Sequence, residues 1–273
     1  FINDIYNPDV PSSFSPNRSQ RDISAVFISD MHVGSNKFAY KKWKNFVKWV
    51  RNTPEISYIV HAGDLVEGIG IFPDQKQELS LTDLDEQYKL CGHLFSQLPD
   101  DVEIVSCTGN HDSIRVAEPQ PAIPERYLDF FPSNFQCVSN PSTVVLDDSV
   151  TVKLYHGASI HDFTDSIPEA DEDEPHIPMK YMLEKRHLAP TFGNNSRIVP
   201  EKEDNHIIED IPDVLHTGHV HTYGVDSYNG VIVLNTGGWV YQTSYQERMN
   251  IQPTVGQVTY MNLKTGKTAN KEF

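Results

Sequence analysis

Short segments rich in metal-ligand side chains recur along this chain, each directly after an apolar, strand-like run. They are Asp30-x-His32, Gly63-Asp64, Gly109-Asn110-His111-Asp112, His156-Gly157 and Gly218-His219-x-His221. A fold that honours this order must bring the carboxyl ends of several strands to one place, which is where open α/β sheets carry their sites. The residue types narrow the chemistry further. Two divalent ions held side by side need a shared carboxylate, neutral imidazoles and an amide oxygen, with positions left for water. Glycine beside most segments lets the backbone approach closely. A lone Asp-x-His or His-x-His at a strand end is usually a hydrogen-bonded pair, so it is the joint occurrence, in one order, that marks a metal site.

Around these segments the chain alternates strand and helix. Residues 23–28 form an apolar β-prone run, and residues 38–52 carry Trp43, Phe46, Val47 and Val50 at helical spacing with lysines on the other face. A solvated outer face explains those lysines better than nucleic-acid contact. Strands are expected at 58–62 and 102–107, a helix at 79–98, and a hairpin at 143–146 and 150–155 turned by Asp147-Asp148-Ser149. Residues 159–212 read as an irregular excursion over the site, with an acidic run from Glu169 to Glu174 and one helical pattern from Met179 to His187. Strands at 214–217, 231–235 and 255–263 close the fold. Residues 1–20, broken by Pro8, Pro11 and Pro16, read as a linker or N-terminal arm, and residues 21–273 as one domain.

Composition sets limits. A formal net charge of −16 over 273 residues weighs against a broad nonspecific nucleic-acid surface. It does not exclude a nuclease, because bound cations add positive charge locally and a partner subunit can supply a basic channel. Cys91, Cys107 and Cys137 have no CxxC spacing and fit reduced, mostly buried thiols. No apolar run approaches the roughly 20 residues of a membrane span, and the expected location is cytoplasmic.

The ordered pattern D-x-H, G-D, G-N-H-D, H, G-H-x-H resembles that of the calcineurin-like metallophosphoesterase superfamily over about residues 23–265. The resemblance implies an α/β fold, a four-layer α-β-β-α sandwich of two mixed sheets. It also implies that Asp30, His32 and His221 bind one metal, that Asn110, His156 and His219 bind the other, and that Asp64 bridges them. His111 is implied as the general acid. Asp112 either orients His111 or serves as a turn carboxylate. Manganese is the expected pair of ions, with iron or zinc compatible with the same N and O donors.

The strings between the ligands carry a more specific likeness. Ala62-Gly-Asp-Leu-Val-Glu-Gly-Ile-Gly-Ile-Phe-Pro73, Arg115-Val-Ala-Glu-Pro-Gln-Pro-Ala-Ile123, Arg186-His-Leu-Ala-Pro190, His216-Thr-Gly-His-Val-His221 and Gln242-Thr-Ser-Tyr-Gln246 are similar to the small subunits of archaeal family-D DNA polymerases. That likeness implies a manganese-dependent 3′-to-5′ proofreading exonuclease acting on single-stranded DNA ends. It also implies a large polymerising subunit as partner and an OB-fold domain ahead of residue 1. The chain departs from the pattern at Gly238, where relatives are expected to carry a hydroxyl residue. Arg115, Arg186 and His187 are candidates for holding the DNA backbone or terminal base, or else loop anchors. Phe72 and Trp239 are candidates for base stacking or for packing, and His61 and His216 for packing or for supporting the metal ligands. Two rival functions remain at this point: a noncatalytic assembly subunit of a polymerase, and a phosphatase or small-molecule phosphodiesterase with the same metal centre.

Overall fold

Strand β1 (Ser24–Ile28) is buried along its whole length, and its side chains divide by parity. Val26 and Ile28 join one apolar cluster, Ala25 and Phe27 another. Period-two alternation with both faces apolar means that the strand lies inside a sheet covered on each side. In a computed structural model, which describes residues 8–248 and 250–273, that sheet has six strands. With β2 (Ile56–Ala62), β3 (Glu103–Cys107), β4 (Phe135–Cys137), β10 (Gln257–Asn262) and β11 (Thr268–Glu272), its order is β11-β10-β1-β2-β3-β4. The run from β1 to β4 is parallel and β10 and β11 are antiparallel, so the sheet is mixed.

A second mixed sheet, β5-β6-β7-β9-β8, contains β5 (Ser142–Leu146), β6 (Val150–Leu154), β7 (Val214–Thr217), β8 (Gly224–Tyr228) and β9 (Val231–Asn235). In β9, Ile232 and Leu234 face the first sheet while Val231 and Val233 face away from it. Helices close the outer faces. On the first sheet lie α1 (Tyr40–Arg51), α2 (Leu84–Phe95) and α3 (Glu125–Leu128), around Trp43, Phe46, Tyr88 and Phe95. On the second lie α4 (Ile160–Ser166) and α5 (His176–Lys185), around Ile160, Met179, Met182 and Leu183. A further short helix, α6 (Ser244–Arg248), follows β9. The architecture is a four-layer α-β-β-α sandwich of two mixed sheets, the arrangement that the resemblance implied.

Several boundaries differ from the sequence reading for identifiable reasons. The second helix begins at Leu84, not residue 79, because the Asp83 side chain caps it by accepting the Glu86 backbone N–H at 3.0 Å. The preceding residues leave the helix to bond elsewhere, with the Ser80 and Leu81 N–H groups donating to Gly34 O. The excursion holds two helices where one was expected. Strands β4, β8 and β11 were not anticipated: β4 is three residues long, and β8 and β11 are short of buried apolar side chains. The expected hairpin turn is present, with Asp147 and Asp148 at φ 51° and 49° and Ser149 N–H donating to Leu146 O. Two successive left-handed residues match the twist of a tight hairpin.

Of the expected arm, residues 1–7 lie outside the described residues. Beyond them, Val10 is buried against the second sheet's outer face, and Asn17 N–H donates to Asp213 Oδ1 at 2.5 Å. Among the described residues, no helix is long and apolar enough to cross a membrane.

Two histidines are fully buried on opposite faces of the sheets: His61 on β2 lies on the helix-covered face beside Phe95, and His216 on β7 lies between the sheets beside Phe27. His61 Nδ1 lies 2.8 Å from Ser106 Oγ and His216 Nε2 lies 3.2 Å from Thr236 Oγ1. Burial pushes the His61 imidazole down to about 3 and holds His216 well below the ordinary histidine value. Both rings therefore fold neutral, whereas in the unfolded chain each takes up a proton near pH 6.5. Because the unfolded state binds more protons in this window, stability is full above about pH 7. It falls as pH drops from about 6.5 toward 3, by about 1.4 kcal/mol per pH unit for the His61 ring, and the His216 ring acts in the same direction. Denaturant unfolding at pH 7 and pH 5 should show a smaller acid loss in His61→Gln than in wild type; equal losses would exclude His61 as a contributor.

Candidate metal centre

The carboxyl ends of β1, β2, β3, β6 and β7 converge at the seam between the sheets, and each delivers part of one buried cluster. Asp30 and His32 follow β1, Asp64 follows β2, and Asn110 and His111 follow β3. His156 follows β6, and His219 and His221 follow β7. The chain turns sharply as it leaves these strands, so that Asp30, His32, Asp64, His219 and His221 have φ of 53°, 47°, 61°, 73° and 58°. Left-handed backbone of this kind is uncommon outside glycine and tends to collect at functional sites. Glycine fills the positions where contact is closest. At Gly63 (φ 89°) a Cβ would sit 2.5 Å from His156 Nδ1, and at Gly109 it would collide with the Asp64 carboxylate.

The donor atoms fall into two groups that share Asp64 Oδ2. On one side His32 Nε2 and His221 Nε2 are 3.0 Å apart, His221 Nε2 is 3.5 Å from Asp30 Oδ1, and His32 Nε2 is 3.5 Å from Asp64 Oδ2. On the other, His156 Nε2 is 2.9 Å from Asn110 Oδ1, 3.2 Å from His219 Nδ1 and 3.3 Å from Asp64 Oδ2. Asp64 Oδ1 is turned away, accepting the His111 backbone N–H at 2.8 Å. His156 Nδ1 faces Ala62 O at 2.8 Å; a carbonyl only accepts, so Nδ1 carries the proton and Nε2 is free to ligate.

The electrostatics call for cations. Asp30 and Asp64 are fully buried. Burial by itself would raise their carboxyl groups, but facing imidazoles outweigh it, chiefly His221 and His32 for Asp30 and His156 and His111 for Asp64. Both are held below the usual carboxylate range, Asp64 well below. Above the cluster lies a cavity of about 280 Å³ lined in part by Asp64, Glu67, Phe72, His111 and Glu172. Among the described residues no lysine or arginine lines it. Hard oxygen and imidazole donors around buried carboxylates, without thiolate, fit divalent cations.

His111 lines this cavity, with its Nδ1 2.8 Å from Glu67 O. Of the two roles expected for Asp112, orienting His111 or serving as a turn carboxylate, the structure shows the second. The Asp112 carboxylate accepts the N–H groups of Asp64, Leu65 and Gly109 at 3.1, 3.2 and 2.9 Å and lies 3.3 Å from Tyr88 Oη. It therefore ties the turn after β3 to the turn after β2, and the Glu67 carbonyl sets the His111 ring.

The basic candidates are placed away from the cavity and tied down within the chain. Arg115 donates to Pro119 O at 2.6 and 2.9 Å and pairs with Glu201 at 3.3 Å. Arg186 donates to Ile208 O at 2.8 Å and also to Glu209 O. His187 faces Asp204 at 2.9 Å. All three act here as loop anchors. Trp239 is fully buried, with its ring 5.1 Å from Trp43 and 5.2 Å from Phe46, so it packs rather than stacks on a ligand.

Sequence reading missed several supporting residues. Glu67 Oε2 lies 3.0 Å from His32 Nδ1, Asn140 Oδ1 accepts the His156 N–H at 2.8 Å, and Gln246 Nε2 lies 3.0 Å from His221 Nδ1. Glu67 and Gln246 belong to the distinctive strings, which was the one available signal; Asn140 lies in none. From the excursion, Glu172 reaches the cavity and pairs with His161 Nδ1 at 2.6 Å, which gives part of the acidic run a place at the site.

Residues 25–225 match the family of DNA polymerase alpha/epsilon B subunits. The chain belongs to this family. It is 42% identical over 271 residues to the DNA polymerase II small subunit of Halobacterium salinarum, covering 97% of this chain and 53% of that protein. To the DNA polymerase II small subunit of Archaeoglobus fulgidus it is 40% identical over 268 residues, covering 94% and 54%. The chain thus spans about half the length of the curated relatives it matches. A solved archaeal phosphodiesterase aligns with 13% identity and a TM-score of 0.46, over 92% of this chain and all of that protein.

If cations neutralise Asp30 and Asp64, they bind the folded chain and not the unfolded one. Manganese at about 100 times its dissociation constant then adds about 2.7 kcal/mol of stability per site. Thermal unfolding should shift upward with manganese, revert with EDTA, and lose this response in Asp64→Ala. A midpoint indifferent to manganese in the wild type would exclude manganese at this cluster.

Proposed function

We propose that this chain is a two-metal phosphodiesterase that removes nucleotides from single-stranded 3′ ends as the proofreading exonuclease of a two-subunit DNA polymerase. The large subunit supplies polymerisation, and an OB-fold domain belongs to the remainder of this subunit. The observation that carries the reading is the complete donor set in two groups about Asp64 Oδ2, with His111 beside it at the cavity wall. In this reading Asp30, His32 and His221 hold one ion, Asn110, His156 and His219 the other, and Asp64 both. When bound, manganese ions supply Lewis acidity and lower the pKa of water.

The chain's own residues do the remainder. Asp64, fixed through Oδ1 by the His111 N–H, keeps Oδ2 at the midpoint of the two donor groups. His111, held through Nδ1 by the Glu67 carbonyl, keeps its other nitrogen available to protonate the leaving 3′-oxygen, so that the product is a 5′-mononucleotide. Phe72, whose ring lies 6.4 Å from His111, offers an apolar wall to the terminal base.

A 3′-labelled single-stranded oligonucleotide tests this in manganese buffer. Release of mononucleotides is expected, faster than turnover of p-nitrophenyl phosphate, falling to background in Asp64→Ala and by about a hundredfold or more in His111→Ala. Faster turnover of the monoester identifies a phosphatase instead. No release even with the large subunit present leaves an assembly role.

A further inference from the structure

The metal cluster is flanked by two cavities. The second measures about 390 Å³ and lies on the other side of Asn110 and His219, running out past Val116, Gln120 and Ala158 to Asn195 and Arg197. Ile71, Asn110, His161 and His219 line both cavities, so the two adjoin, with part of the candidate metal ligation between them. Arg197 is the one lysine or arginine that lines either cavity among the described residues.

Arg197 differs from the arginines that the sequence suggested. Its side chain is exposed, and its guanidinium has no hydrogen-bond or ion-pair partner among the described residues. Its backbone, by contrast, is fixed on both sides. The Asn195 and Ser196 N–H groups donate to the buried Asp162 carboxylate at 2.8 and 3.1 Å. Arg197 O then accepts the Glu118 N–H at 2.7 Å, and Val199 N–H donates back to Glu118 O at 2.7 Å. A permanently charged fork with its donors unspent, presented from an anchored loop, suits bidentate contact with a phosphate.

A polynucleotide with one phosphodiester at the metal centre must carry its neighbouring phosphates past the walls of the site. We infer that Arg197 binds a backbone phosphate of the same strand, next to the one being cleaved, and that the second cavity is the path of that strand away from the metal centre. This rests on the reading of the site as a polynucleotide phosphodiesterase. Arg197 acts on the position of the strand and not on bond breaking, so a substrate with a single phosphate has no use for it.

The full-length protein, as wild type, Arg197→Ala and Arg197→Lys, is compared in manganese buffer by two readouts. One is turnover of bis(p-nitrophenyl) phosphate, a lone diester. The other is affinity, across a salt series, for a short single-stranded oligonucleotide with phosphorothioate linkages at its 3′ end. Arg197→Ala is expected to leave diester turnover within about twofold of wild type and to weaken oligonucleotide binding about tenfold. The slope of log affinity against log salt should shrink by about 0.7, the value for one lost contact to a single strand. Arg197→Lys should restore the slope but only part of the affinity, since its charge is kept and its fork is not. Unchanged affinity and slope in Arg197→Ala overturn the inference, as does an equal loss on the lone diester, which indicates a structural role, or a wild type that does not bind the oligonucleotide. If the wild type turns over no diester yet Arg197→Ala still loses affinity, the catalytic reading fails and the phosphate contact stands.

Discussion

Two carboxylates buried at the seam of the sheets, with no lysine or arginine facing them among the described residues, set the terms for the rest of this molecule. Removing an ionised carboxylate from water costs several kcal/mol even after relaxation. Among the described residues, the counter-charge facing Asp30 and Asp64 comes from imidazoles. An imidazole that balances a carboxylate must be protonated, whereas one that ligates a metal must be neutral. The polypeptide alone cannot meet both demands with the same rings. Divalent cations can, because they supply the positive charge and leave His32, His156 and His221 free to donate lone pairs.

The same demand explains the backbone. The residues that must turn left-handed at the strand ends are also the ones that must carry donors, so glycine cannot be used at Asp30, His32, Asp64, His219 or His221. Such conformations cost of order 1–3 kcal/mol each and persist only where the surroundings over-determine them. Here they do: Asp30 N–H donates to Gly63 O, His32 N–H to Asp64 O, Trp239 N–H to Asp30 O and Thr254 N–H to His221 O. Several links cross between the sheets through the site itself, including His156 Nδ1 to Ala62 O and the His219 N–H to the Asp30 carboxylate. The site is therefore part of what holds the two sheets in register with each other.

What could be read from the sequence follows from which signals are local. Each candidate donor stands within a few residues of the apolar strand that delivers it, so the segments were legible from strand ends, while their division between two ions came from the resemblance. Burial on both faces was not, since β1 is a continuous apolar run and periodicity cannot say that Phe27 and Ile28 meet different layers; that step needed the family resemblance. The supporting contacts were the least legible. Asp112 stands next to His111 in the chain but turns back to the Asp64 turn, while Asn140, far from any ligand segment, reaches the His156 N–H. Likewise, Arg115, Arg186 and His187 have the right chemistry for phosphate, yet neighbouring carbonyls and carboxylates have already taken their donors.

Charge also fixes an order of events at the cavity. Before any cation binds, a phosphate entering above the cluster meets Asp64, Glu67 and Glu172, and among the described residues the same wall offers imidazoles but no lysine or arginine. At an effective dielectric constant of 20, like charges about 4 Å apart repel by about 4 kcal/mol, so each carboxylate that no imidazole balances opposes an anion there. Two bound divalent cations reverse the sign at the centre of that wall while leaving its acidic rim in place. In the proposed reading the anion is then drawn to the metal position, and the cations act as the gate for substrate as well as the source of reactivity. The rim that remains gives selectivity of a simple kind. Glu172, held in place by His161, opposes any second phosphate on its own side of the cluster, and the compartment beyond Asn110 and His219 holds the one exposed, unpaired arginine among the residues lining either cavity. In the proposed reading, a strand that satisfies both enters with its end toward the acidic cavity and its body toward Arg197, which is the polarity that cleavage from an end requires.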